Sequence, residues 1–166
     1  METSERGIQL IKKFEGLRLE AYRCSAYVWT IGWGSTIVNG IKVREGDRIT
    51  EDEAEKALID DLEKFETIVN NRITTKINQN QFDALVSHTY NTGGSDGLFE
   101  LVNTRDSNKA IRNWFERTYI TAGGKKMNGL VSRRKVESDL FFSRTCIFIN
   151  TTKNLYAAYI NAIKKK

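Results

Sequence analysis

Asn39-Gly40 stands between two β-branched runs, Thr36-Ile37-Val38 and Ile41-Lys42-Val43. Both residues of such a pair tolerate positive φ, so the chain can reverse within two residues and pair its flanks as an antiparallel hairpin. The surrounding stretch, residues 17–44, is dominated by aromatic and β-branched side chains, which predicts a small antiparallel sheet. On either side the apolar period is that of a helix. Ile8, Leu10, Ile11 and Phe14 recur close to helical spacing over residues 5–14, with Ser4 as candidate N-cap and Gly16 as the stop.

From residue 50 the helical period returns. Thr50 with Glu53 reads as a capping box ahead of Ala54, Ala57, Leu58, Leu62, Phe65, Ile68 and Val69. Asn78 with Gln81 caps a further helix that Thr92-Gly93-Gly94-Ser95 breaks. Shorter helices are expected at 96–103, 107–117 (Ser107 as cap) and 130–142, with 121–129 as a loop around Gly123, Gly124 and Gly129. Leu155, Ala158, Tyr159, Ala162 and Ile163 predict one more helix in the tail. The layout is α+β: a small sheet lobe near the N-terminus, a larger helical lobe after it, and a cleft between them as the expected ligand site.

Composition narrows the class without naming it. With 166 residues, 40% of them apolar, the chain suits one packed domain. No run approaches the roughly 20 apolar residues of a membrane span, and the first residues lack the basic start and apolar run of a secretory signal. Net charge is +5, of which Lys164, Lys165 and Lys166 supply three. That attracts anionic wall polymers and nucleic acid alike, but no nucleic-acid module or basic stripe accompanies it. Cys24 and Cys146 allow at most one disulfide, and one histidine with two distant cysteines makes no usual metal site.

Chemistry concentrates between Glu15 and Thr36. Glu15 closes an amphipathic helix beside Phe14 and Leu17. A carboxyl so placed can be partly desolvated and stay protonated as a general acid, or it can be an ordinary solvated helix-end glutamate. Eight residues separate it from Cys24, and five more lead to Thr30, followed by Ile31-Gly32-Trp33-Gly34. This pattern resembles the active-site segment of the phage-type lysozymes: Glu, eight residues, Asp, five residues, Thr, then Ile-Gly-x-Gly. The resemblance continues through Asn80-Gln81-Phe82-Asp83-Ala84-Leu85, Tyr90-Asn91-Thr92-Gly93 and Gly129-Leu130-Val131-Ser132-Arg133-Arg134, with Glu137 following.

The resemblance implies a lysozyme-like α+β fold over residues 1–142; residues 143–166, which it does not reach, are expected as a basic helical extension packed on or trailing from the same domain. It implies a monomeric glycosidase that cuts the β-1,4 bond between N-acetylmuramic acid and N-acetylglucosamine in bacterial peptidoglycan, without a cofactor. Synthesis in a host bacterial cytoplasm, with release to the wall by a separate agent, follows from the same likeness. Carried over by position, Glu15 protonates the departing glycosidic oxygen and Thr30 helps hold the attacking water. Tyr90 and Asn91 match positions lining the family's cleft, where a ring can stack on a sugar and an amide can pair with N-acetyl groups. Core packing is the alternative for Tyr90, and solvated helix positions for Arg133 and Arg134.

Two positions depart from the pattern. Ser35 replaces a histidine usual after the second glycine. Cys24 stands where the family has a catalytic aspartate. A free thiol has a pKa of about 8.5, and a nearby ionised glutamate pushes it higher. Cys24 therefore orients water, acts as a nucleophile, or marks a weakened site that only binds peptidoglycan. A Cys24–His88 dyad in a wall amidase or peptidase is a further alternative.

Overall fold

The computed structural model describes residues 1–24 and 26–143. The expected tail helix, Cys146 and the terminal lysine run lie outside the described residues. The described residues fall into two compact units, one formed by Met1–Phe14 and Leu62–Ser143, the other by Glu15–Asp61.

The Glu15–Asp61 unit follows α1 (Glu5–Glu15), whose last residue is its first. Gly16 takes φ +71, the left-handed turn that stops the helix. β1 (Arg18–Arg23) and β2 (Trp29–Gly32) pair antiparallel, with Tyr22 opposite Thr30 and Arg23 opposite Trp29, and an irregularity between Arg18 and Tyr22. β3 (Ile37–Val38) and β4 (Ile41–Lys42) form the predicted hairpin, with φ +49 at Asn39 and +77 at Gly40. The expected single sheet is instead two separate two-stranded ladders, helped by bridges at Glu20–Arg48 and Ile31–Ser35. Short strands and the tight turn at Ile31–Ser35 end each ladder before a third strand can join. Ile31, Trp33 and Val43 are buried in this unit with Ala54, Ala57, Leu58 and Ile59 from α2 (Glu51–Arg72). Gly32 has φ +64, and a Cβ there would meet Ala54 Cβ at 3.3 Å, so both its conformation and its close approach to α2 require glycine.

Most of the caps fall where the residues predict them. Asn78 and Gln81 bond reciprocally at the start of α3 (Gln79–Thr92), and Gly93 closes it with φ +81. Thr50 and Glu53 do the same for α2. Ser95 and Ser107 cap α4 (Asp96–Asn103) and α5 (Asn108–Arg117). Ser4 differs: its hydroxyl and N–H both turn to Asp83 on α3 rather than to its own helix. Residues 121–129 also differ from the expected loop. Thr121–Ala122 (β5) and Lys125–Lys126 (β6) pair across Gly123-Gly124, whose φ values of +56 and +74 make a hairpin turn of two glycines. α6 (Asn128–Phe142) begins two residues earlier than predicted and packs on α3 and α5. Ile11, Leu62, Phe82, Leu85, Leu98, Phe115 and Phe141 are among the buried side chains of the larger unit.

Candidate active site

Glu15, Cys24 and Thr30 all belong to the Glu15–Asp61 unit. Glu15 is the half-buried last residue of α1. Cys24 is partly exposed just past β1, and Thr30 is buried in β2 with 4% exposure. A five-residue turn joins the two strands. The Cys24 N–H donates to the Val28 carbonyl at 3.0 Å, and the Tyr27 N–H to the Cys24 carbonyl at 2.9 Å. The Thr30 hydroxyl bonds the Val28 carbonyl at 3.0 Å and lies within hydrogen-bonding reach of the Cys24 sulfur.

The turn sets the chemistry of that sulfur. The Val28 and Ala26 backbone N–H groups both point at it, and they hold the thiol's pKa below its ordinary value, with the Thr30 hydroxyl adding to them. The expectation that a neighbouring glutamate drives this thiol upward is thus overturned. Hydrogen bonds made to the charged form outweigh what burial opposes.

Tyr22 completes the cluster and was not singled out from the sequence. It sits directly across from Thr30 in the ladder and two residues before Cys24, hence on the same face of the strand. The Arg18 guanidinium lies 4.4 Å over its ring. Burial raises the phenol's pKa, Arg18 lowers it, and Cys24 and Glu15 raise it further, so the phenol stands in the field of both. Period-two spacing back from Cys24 was the available signal. The bulge between Arg18 and Tyr22 hides which strand residues share a face.

In the larger unit Tyr90 is half-buried near the end of α3, its ring 4.9 Å from that of Phe65. Asn91, next along, is exposed, and its Oδ1 accepts from Arg134 Nη2 at 2.9 Å. Arg133 and Arg134 are not solvated helix arginines. They are 3% and 0% exposed and flank Glu137, also 0% exposed. Arg133 Nε bonds Glu137 Oε1 at 3.1 Å, Arg134 Nε lies 3.0 Å from Oε2, and the Ser87 hydroxyl donates to Oε1 at 2.8 Å. α6 packs against α3 at this point, and tertiary burial overrides the ordinary preference of arginine for water.

His88 lies 0% exposed on the inward side of α3, edge-on to Phe115 and Tyr119 at 5.6 and 5.4 Å. Its Nδ1 is 3.3 Å from the Thr92 hydroxyl. Burial lowers its pKa to about 3, with Arg134 and Arg133 adding to the effect. An imidazole with no exposed atom cannot take a proton from a thiol or touch substrate, so it serves no Cys–His dyad. It does serve stability. Its folded pKa lies below its unfolded value of 6.5, so its contribution is full above that pH and lost as pH falls toward 3. Asp83 and Glu137, whose pKa values are raised, slope the other way. Urea unfolding of wild type and His88→Leu between pH 7 and 4 therefore should show a difference that shrinks with acid. A constant difference refutes the assignment.

The family described as Phage lysozyme matches residues 12–137 of this chain. The chain belongs to the phage lysozyme family. It is 36% identical over 149 residues to an endolysin of Acyrthosiphon pisum secondary endosymbiont phage 1, covering 86% of this chain and 99% of that protein. Against the endolysin of Bacillus phage B103 it is 39% identical over 149 residues, spanning only 55% of that longer protein. Among solved structures, the endolysin of Escherichia coli O157:H7 phage FAHEc1 superposes with a TM-score of 0.75 at 38% identity, covering 86% of this chain and 94% of that one. In this chain Glu15 ends α1, and Cys24 and Thr30 follow it at the end of β1 and within β2, all in the Glu15–Asp61 unit.

Proposed function

We propose that this phage lysozyme hydrolyses the β-1,4 bond between N-acetylmuramic acid and N-acetylglucosamine, with Glu15, Cys24 and Thr30 as its catalytic residues and Tyr90 and Asn91 as substrate contacts. Support comes from the family, whose members here are endolysins, and from the hydrogen-bonded Cys24–Thr30 pair following Glu15 in one unit. Glu15 donates its proton to the glycosidic oxygen as the C1–O bond breaks. A water on the opposite face, held by the Thr30 hydroxyl and the Cys24 sulfur, forms the new C1–O bond and gives its proton to the thiolate. Hydrogen bonds from the Val28 and Ala26 amides favour the anionic form of that sulfur relative to an isolated cysteine. Inversion at C1 follows from a water attacking from the far side.

Among the described residues no helix is long and apolar enough to cross a membrane. In this reading a separate agent brings the enzyme to the wall.

Purified peptidoglycan tests the proposal by release of reducing ends, with mass spectrometry of the products. Products carrying an added water support hydrolysis; 1,6-anhydro ends mean transglycosylation and overturn it. The sulfur's part shows in the pH profile. Wild type should carry a limb that rises through a midpoint below about 8.5, the ordinary thiol value. Cys24→Asp should move that limb to the carboxylate range near 4, and Cys24→Ser should abolish it. The same limb in Cys24→Ser rules the thiolate out.

A further inference from the structure

Tyr27 holds a left-handed backbone, φ +59, while leaving its side chain 79% exposed. For a bulky residue that conformation is costly, on the order of 1–2 kcal/mol, and only glycine or a short polar side chain takes it readily. The ring recovers little of that cost by packing. Tyr119, the other tyrosine with positive φ, sets its ring against His88 at 5.4 Å. Asn39 is of a type that tolerates the conformation. Strain of this kind without compensating contacts concentrates where a side chain acts on something outside the chain.

The position supplies the candidate. Tyr27 belongs to the same five-residue turn whose Ala26 and Val28 amides hold the Cys24 sulfur, and its N–H bonds the Cys24 carbonyl at 2.9 Å. Val28, next to it, is 46% exposed, which extends the apolar rim. The left-handed residue lies between the two that supply those amides, and a tyrosine there exposes a flat apolar surface three residues along the chain from Cys24. A pyranose ring offers a matching face of C–H groups.

We propose that Tyr27 is a substrate-binding platform on which an N-acetylhexosamine ring of the glycan strand stacks beside the bond being cut. The proposal rests on the glycosidase reading of Cys24 and Glu15. Stacking on the ring holds the sugar in the ground state as in the transition state, so its loss raises KM and leaves kcat alone.

Reducing-end kinetics on soluble, uncrosslinked peptidoglycan, with thermal unfolding in parallel, test it for Tyr27→Asn, Tyr27→Gly and Tyr27→Phe. Asparagine and glycine keep the left-handed turn, so both should unfold at or above the wild-type temperature. Their KM should rise about 2- to 12-fold, the range for one lost ring contact. Phenylalanine should keep the wild-type KM. Wild-type KM in Tyr27→Asn and Tyr27→Gly, a fall in kcat alone, or a raised KM in Tyr27→Phe overturns the platform while leaving the glycosidase standing. A wild type that releases no reducing ends defeats the glycosidase reading itself.

Discussion

Glu15→Gln is expected to lower the rate of reducing-end release by about 10²- to 10⁴-fold, the span that positioned general acids contribute. Glutamine has nearly the shape of glutamic acid but no proton acidic enough to give a departing sugar oxygen. The position makes the comparison clean. Glu15 ends α1 at a turn whose shape is set by Gly16, φ +71, and it is only half-buried, so a side chain of the same shape fits in its place. Thermal unfolding run in parallel should show a folded variant. A folded Glu15→Gln protein with wild-type turnover on peptidoglycan means that another carboxyl supplies the proton, and the assignment of Glu15 falls.

The second large effect is on stability. Glu137→Gln should destabilise the protein by about 3–5 kcal/mol, because it strands two buried guanidiniums without their shared counter-ion. For a chain of this size that is on the order of 10 °C in melting temperature. Arg133 and Arg134 have no route to water at 3% and 0% exposure, so neither can be rescued by solvent. Burial raises the pKa of the Glu137 carboxyl, while Arg134 and Arg133 pull it back. Replacing all three residues by apolar ones of similar volume should restore much of the loss, since a well-packed apolar cluster escapes the desolvation cost altogether. Melting curves of the single and triple variants decide it: a mild single variant shows that the cluster contributes little. The triple variant also removes the Arg134 bond to Asn91, so any fall in its activity at restored stability reports on that amide.

Much of the local architecture was legible because it depends on near neighbours in the chain. The Asn39-Gly40 turn, the Thr50–Glu53 and Asn78–Gln81 boxes and the Ser95 and Ser107 caps are each fixed by backbone groups within a few residues. The Gly123-Gly124 hairpin is not legible in the sequence because its flanking strands are two residues each, too short to show alternation. Ser4 stands at the N-cap position, its carbonyl accepting from the Ile8 N–H, but no local pattern shows that its hydroxyl goes to a carboxylate 79 residues away.

The site divides along the same line. Residue types at fixed spacing carry the resemblance to the phage-type lysozymes, and that resemblance is what nominates Glu15, Cys24 and Thr30 as the candidate site. The sequence alone could not settle the ionisation of Cys24, since two amides of its own turn and the Thr30 hydroxyl determine it only once the turn has closed. Nor could it distinguish solvated arginines from a buried Arg–Glu–Arg cluster, or a reactive histidine from a core one. Burial is a property of what packs against a residue, and for His88, Arg133, Arg134 and Glu137 much of the enclosing surface comes from other helices, through contacts that no local pattern encodes.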